Sequence, residues 1–284
     1  MNLVKVWLLF LLLSSHLALS KVIILSDDPA DEFLLHKRGS LDIASDSYRL
    51  LFKHLPEFSM EIQIAPIARV NSILSSEETV CAINRIKTPE RSLTHLYSHP
   101  VHLYPSHRLY FFKNETALPK KIINEDGELI SLSALMYEFP NAVLAKEASR
   151  SYGPLLDEQL ALIDKSRLLN REGGDAYHAM VAMFERKRAN FLIIYPTTFK
   201  QHGSIAERED IGSIAIANHP SFIAGHIACT KTAESLHIIQ KINHTLLSLY
   251  PSSEYLQLHL KHIPKSEHEL LRRRIADLFL QYKQ

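Results

Sequence analysis

The first third of the chain alternates between two hydrophobic periods, and that rotation restricts the fold more than any other feature. VIIL at 22–25 is an apolar run of buried-strand length, after which Tyr48, Leu51, Phe52 and Leu55 recur at helical spacing. MEIQI at 60–64 alternates as a half-buried strand does, and Val70, Ile73 and Leu74 then form a helical stripe. VCAI at 80–83 is a third strand, and Thr88-Pro89 supplies the cap and first residue of the helix that follows. Strand and helix in strict rotation predict parallel strands covered by helices.

After residue 100 the rotation changes. RLYFFK (108–113) is a stiff aromatic strand, and NETALPKKIINEDGE (114–128) reads as a connecting loop. AVLA (142–145) opens a second series, with a helix expected to start near Ser151-Tyr152-Gly153-Pro154 and an apolar stripe at Tyr177, Met180, Val181 and Phe184. FLIIY, IGSIAIA and FIAGHIAC follow as three strands, then a helix from Ala233 to Tyr250. A last helix is expected from Ser266, where Ser-x-x-Glu forms a capping box ahead of Leu270, Leu271, Ile275, Leu278 and Phe279. There is no internal repeat and no Gly/Ser linker.

The opening segment bears on compartment. Lys5 precedes the apolar run VWLLFLLL, and Ala18-Leu19-Ser20 places small residues where a signal peptidase reads. Residues 1–20 are therefore expected to be a signal peptide cleaved after Ser20, delivering a soluble protein to the periplasm; an uncleaved membrane anchor is the alternative. Without that segment the chain carries 32 − 1 = 31 basic and 31 acidic residues, which gives no electrostatic case for nucleic acid. Cys81 and Cys229 are an even pair without zinc-like spacing, read first as a disulfide in an oxidising compartment, with two buried thiols as the alternative.

Phosphate-cradling loops and hydrolase motifs are missing, and eight glycines leave little material for them. Sixteen histidines are many, and four crowd 95–107. His95 and His99 have helical ligand spacing, but Pro100 breaks a helix there, so no metal site is expected.

Arg91 stands out because it falls in the first turn of the Thr88–Pro89 helix, where the dipole disfavours a cation. Either it shares an anion with the exposed amides of that helix end, or it points into solvent.

At KTPER the chain resembles the bacterial periplasmic solute-binding proteins of family 3, the amino-acid-type receptors of ATP-driven importers. A lobe-one strand, a T-x-x-R turn and an aromatic Ser/Pro segment occur here in the order CAINRIKTPER, then HLYSHPV. The SYG helix opening and the GHIACTK strand leading into KIN fit as well, as in an exported branch with cysteines at both of these positions. The resemblance implies a type II periplasmic-binding-protein fold, with two α/β lobes joined by two crossing hinge strands. Lobe one would be 21–107 plus 222–284, and lobe two 108–221. It implies that Arg91 grips a ligand carboxylate, supported by Asn84, Ile86, Thr88 and Arg69. Ser151, Tyr152, Gly153 and Tyr195 would meet the ligand from the other lobe. It also puts both cysteines on lobe-one strands. Ile86 and Tyr195 depart from the family pattern, the second replacing the acid that holds an amino-acid ammonium. The ligand expected is thus a small anionic or amino-acid-like solute that bears a carboxylate, delivered by a monomer to an inner-membrane transporter or sensor, with no cofactor and no catalysis. An enzyme on the same scaffold, dehydratase-like, and a ligand-free interaction module are the alternatives.

Overall fold

The computed structural model describes residues 20–36, 39, 42–76, 78–148, 150–171, 176–205 and 208–283. Of the expected export signal, residues 1–19 lie outside the described residues. Among those described, no helix is long and apolar enough to cross a membrane.

The predicted rotation forms as read. β1 (Ser20–Ser26), α1 (Ile43–Lys53), β2 (Phe58–Ile64), α2 (Ile67–Leu74), β3 (Cys81–Arg85) and α3 (Pro89–Ser92) follow one another. β1 pairs in parallel with β2 from Ser20 to Ser26, and in parallel with β3. Two short strands not expected from the sequence follow, β4 (Leu96–Tyr97) and β5 (His102–Pro105).

The chain then builds a second sheet. It contains β6 (Arg108–Phe112), α4 (Leu132–Glu138), β7 (Leu144–Glu147), α5 (Pro154–Ala161), β8 (Leu168–Arg171), α6 (Ala176–Glu185), β9 (Phe191–Ile194), α7 (Pro196–His202) and β10 (Ile211–Ile214). Its strand order is β10-β6-β9-β7-β8, with β7 parallel to both neighbours. The chain returns through β11 (Phe222–Cys229) to the first sheet, whose order is β2-β1-β3-β11-β4, with β5 on the other half of β11. α8 (Ala233–Leu249), α9 (Ser253–Leu260) and α10 (His268–Tyr282) complete it. The last helix starts two residues later than expected: a 3-10 turn spans Lys265–Glu267 and α10 begins at His268, whose N-cap Glu267 makes no side-chain cap bond.

Each sheet is covered on both faces, which is why its central strands are apolar without alternation. Ile24 and Ile83 pack with Tyr48, Leu51 and Ile242 on one side of the first sheet, and Leu25 and Ala82 pack with Val70 and Leu74 on the other. Phe191 and Ile193 face Leu156 and Leu132, whereas Leu192 and Ile194 face Val181 and Phe184. Side chains of this size contribute about 1.5–3 kcal/mol each when fully buried. Cys81 and Cys229 are directly opposed on antiparallel β3 and β11, Cα atoms 4.0 Å apart, and are joined by a disulfide.

Candidate ligand-binding cleft

The two sheets communicate through two connections lying side by side. Ser106 donates its N–H to the Ser221 carbonyl at 3.0 Å where residues 106–107 and 215–221 pass between the lobes. Above this crossing the ends of β1 and β3 face the segment after β7 and the start of α7. Ligands of open α/β sheets bind in such crevices. A cavity of about 760 Å³, its open mouth included, lies there, lined by Asp27, Asp31 and Asp42 from one lobe and by Arg150, Tyr177 and Tyr195 from the other. A smaller chamber of about 260 Å³ adjoins it, lined by Arg85, Arg91, Arg150 and Ser151. Asn84, Ile86, Arg150 and Tyr195 line both.

Arg91 therefore faces a chamber between the lobes. Thr88 caps α3 as expected, accepting the Arg91 N–H on its Oγ1 at 3.2 Å, so that amide is already engaged and Thr88 lines neither cavity. α3 ends at Ser92, and His95 and His99 share no helix face. Among the described residues, no group of three or more His, Cys, Asp or Glu is arranged to hold a metal ion.

A second arginine in this chamber was not among the residues picked out from the sequence. Between the pairs Ala82–Ala228 and Arg85–His226, β3 has two residues against one on β11. This bulge lies at Asn84, which has φ +56°. Alternation alone would place Arg85 with Cys81 and Ile83 in the core; the extra residue turns it to the α2 face. There its guanidinium donates to the Asn71 side-chain oxygen, while Nε has no partner. Arg85 is 4 % exposed, and among the described residues no carboxylate pairs with it or with Arg91. Burial, and then the neighbouring Arg91 charge, bring its pKa down to about 10. Two adjacent guanidiniums with no counter-charge make this chamber an anion site by charge.

The other residues expected at the site separate into two groups. Ser151 lines the small chamber, its hydroxyl held by Asp157. Tyr195 lines both chambers, its ring stacked on His107 at 3.8 Å and 5.4 Å from Tyr104. By contrast Tyr152 is buried in the second lobe, its hydroxyl accepting the Glu147 N–H at 2.8 Å. Gly153, at φ +94°, opens α5 without lining the cleft. Arg69 is exposed on α2 and lines neither chamber.

Four carboxylates in the larger chamber also went unremarked in the sequence. Asp27, Asp28 and Asp31 sit in the loop after β1, and Asp42 is the N-cap of α1. Their signal was there in SDDPADEF, an acid-rich stretch directly after a buried strand. Asp31 accepts from the Ser26 hydroxyl at 2.6 Å and from the Asn84 amide at 3.4 Å. Burial nevertheless pushes its pKa up to about 7, with Asp28, Asp42 and Asp27 adding to the rise. Asp28 is also raised, by burial first.

Arg150, from the second lobe, crosses the cleft to pair with Asp27 and pairs with Glu147 of its own lobe. Its guanidinium lies over the Tyr177 ring, 5.1 Å from the centroid. Burial opposes this charge, but Asp27, Tyr177 and Glu147 together hold the Arg150 pKa well above the usual arginine range.

No family model and no curated protein matches the chain. Solved structures do. One comes from a study of glutathione import in Gram-positive bacteria via GshT and the cystine ABC importer TcyBC of Streptococcus mutans, at TM-score 0.62 and 14 % identity over 88 % of this chain and 99 % of that one. An ancestral arginine-binding protein bound to arginine matches at TM-score 0.62 and 13 % identity, over 86 % and 98 %. A histidine kinase sensor domain with similarity to periplasmic binding proteins matches at TM-score 0.61 and 12 % identity, over 86 % and 96 %. The fold is that of the periplasmic binding proteins, two α/β lobes about a cleft.

Proposed function

We propose that this chain is an exported binding protein whose lobes, 21–107 plus 222–284 and 108–221, close on a small carboxylate-bearing solute. The protein acts as a monomer after cleavage behind Ser20 and hands its solute to an inner-membrane transporter or a sensor. Both uses are represented among structures of this fold, an ABC importer system and a histidine kinase sensor domain. The observation that carries the reading is Arg91, which pairs with no carboxylate among the described residues and meets Arg85 on one side of a small chamber whose far side is Ser151 and Tyr195. A guanidinium offers a carboxylate two parallel, charge-assisted hydrogen bonds, and closure of the second lobe removes competing water.

A thermal-shift screen against amino acids, organic acids and oligopeptides identifies the solute, because a ligand that binds only the native state raises the melting temperature. Calorimetric titration of Arg91→Ala then tests the grip. Affinity falls by about 2–5 kcal/mol, since the bound carboxylate loses its two-pronged, charge-assisted partner. Unchanged affinity in that variant removes Arg91 from the site.

A further inference from the structure

We propose that Tyr48 is a positioning residue for the small chamber: its hydroxyl holds the β3 bulge that turns Arg85 out of the core. This rests on the reading of that chamber as the seat of the solute's acid, and it names what sets the second guanidinium in place.

The sequence marks Tyr48 only as one member of the apolar stripe of α1. Its ring does pack there, stacked on Phe52 at 5.9 Å and edge-on to His102 at 5.4 Å. The hydroxyl has a separate part. The extra residue of a bulge drops out of the ladder, so its N–H must find an acceptor elsewhere. Asn84 has a register partner on neither side: β11 sets one residue against two there, and β1 pairs with β3 only at Cys81 and Ala82. Its N–H donates instead to the Tyr48 hydroxyl, at 2.8 Å. Tyr48 is fully buried and clamped by its ring contacts, so that acceptor is a fixed point. Asn tolerates the left-handed φ of +56° better than most side chains, and its amide adds a longer contact to Asp31 at 3.4 Å.

What the bulge decides is the place of one charge. Without it, alternation sends Arg85 to the side of Cys81 and Ile83, into the apolar cluster that holds Leu51 and Ile242. With it, Arg85 reaches Asn71 on α2 and lines the small chamber beside Arg91. Among the described residues no carboxylate pairs with this guanidinium, so no ion pair aims it. The backbone turn and the Asn71 contact do, and the turn hangs on Tyr48.

Acetate, the simplest carboxylate, is the probe. It is titrated into protein carrying isotopically labelled arginine and read by NMR, where the Nε–H signals of Arg85 and Arg91 are those lost in Arg85→Gln and Arg91→Gln. Tyr48→Phe removes the hydroxyl and keeps the ring, so folding is retained; Phe52→Leu, in the same stripe, controls for packing alone. In wild type both signals shift with one half-saturation. In Tyr48→Phe that concentration rises roughly threefold or more, within what one hydrogen bond is worth, and in Phe52→Leu it does not change. Read at Arg91 in the Arg85→Gln background, Tyr48→Phe adds no further loss, because the residue it positions is gone. An equal loss in both backgrounds makes Tyr48 a structural residue alone and overturns the proposal, as does an unchanged half-saturation in Tyr48→Phe. Acetate that shifts Arg91 but not Arg85 also overturns it, and leaves the solute's acid seated on Arg91. Acetate that shifts neither guanidinium removes the anion reading of the chamber, and the proposal with it.

Discussion

Asp31 shows how one residue ties the cleft to stability. In the unfolded chain it loses its proton at the ordinary aspartate pKa of 3.8, whereas in the folded protein it keeps it to about 7. Between these values the native state binds more protons than the unfolded one, so this group makes stability fall as pH rises. The loss is on the order of 4 kcal/mol across that window, at about 1.36 kcal/mol per unit. The buried and half-buried histidines act with the opposite sign. Burial lowers His219, His226 and His259 to about 4, so they withdraw stability as pH falls toward that value. Comparing wild type with Asp31→Asn cancels the histidines, because both proteins share them. Thermal melting from about pH 4 to 8 should show the variant gaining on wild type steadily as pH rises. A constant difference would mean that Asp31 ionises normally in the folded protein. At this scale Arg91 was legible, because a cation in the first turn of a capped helix is a local anomaly. Arg85 was not, since its facing depends on the bulge opposite His226.

Among elements, the pairing of β3 with β11 joins the first sheet's opening half to its returning strand. The two strands come from the two separate segments of the first lobe, and the Cys81–Cys229 bond closes a separation of 148 residues that includes the whole second sheet. The loop-entropy model assigns such a cross-link about 5 kcal/mol. Urea unfolding of the oxidised protein and of the Cys81→Ala/Cys229→Ala variant measures it. A loss of several kcal/mol is expected, with ligand affinity retained because both cysteines lie in one sheet. Equal midpoints would show that the bond contributes nothing to the folded state. Long elements with one clear period, such as α1 and α8, were readable from sequence. β4, with two residues, and β8, which ends on two exposed polar residues, carry too little pattern to be found. They exist because neighbouring strands supply their hydrogen-bond partners.

At the scale of the molecule the question is what holds the lobes together without ligand. The pair Asp27–Arg150 joins loops from the two lobes, and its charges are well buried. Removing one member of a buried pair costs about 3–5 kcal/mol, because the other is left uncompensated. In Arg150→Gln that penalty falls on the closed arrangement alone, since opening returns Asp27 and Glu147 to water. Small-angle scattering of the ligand-free protein should therefore give a larger radius of gyration for the variant than for wild type. Identical scattering curves would mean that other contacts set the closure. His107 and His219 sit at the crossing itself, rings 5.9 Å apart, and burial holds the His107 pKa well below the usual histidine range.

The amino-acid sequence by itself determined the order of strands and helices in the first lobe, the capped turn at Thr88 and the place of Arg91. These depend on hydrophobic period and on hydrogen bonds within a few residues, both local. Only the tertiary structure decided which charges share a cavity. Asp27, Asp42, Arg85 and Arg150 come from four separate segments, and nothing in their spacing brings them together. Their effect on one another depends on distance and on exclusion of water, which exist only once the two sheets have packed on either side of the cleft. The division of the site into an arginine chamber and an aspartate chamber is thus a property of the folded lobes, written in residues that each look ordinary where they stand in the chain.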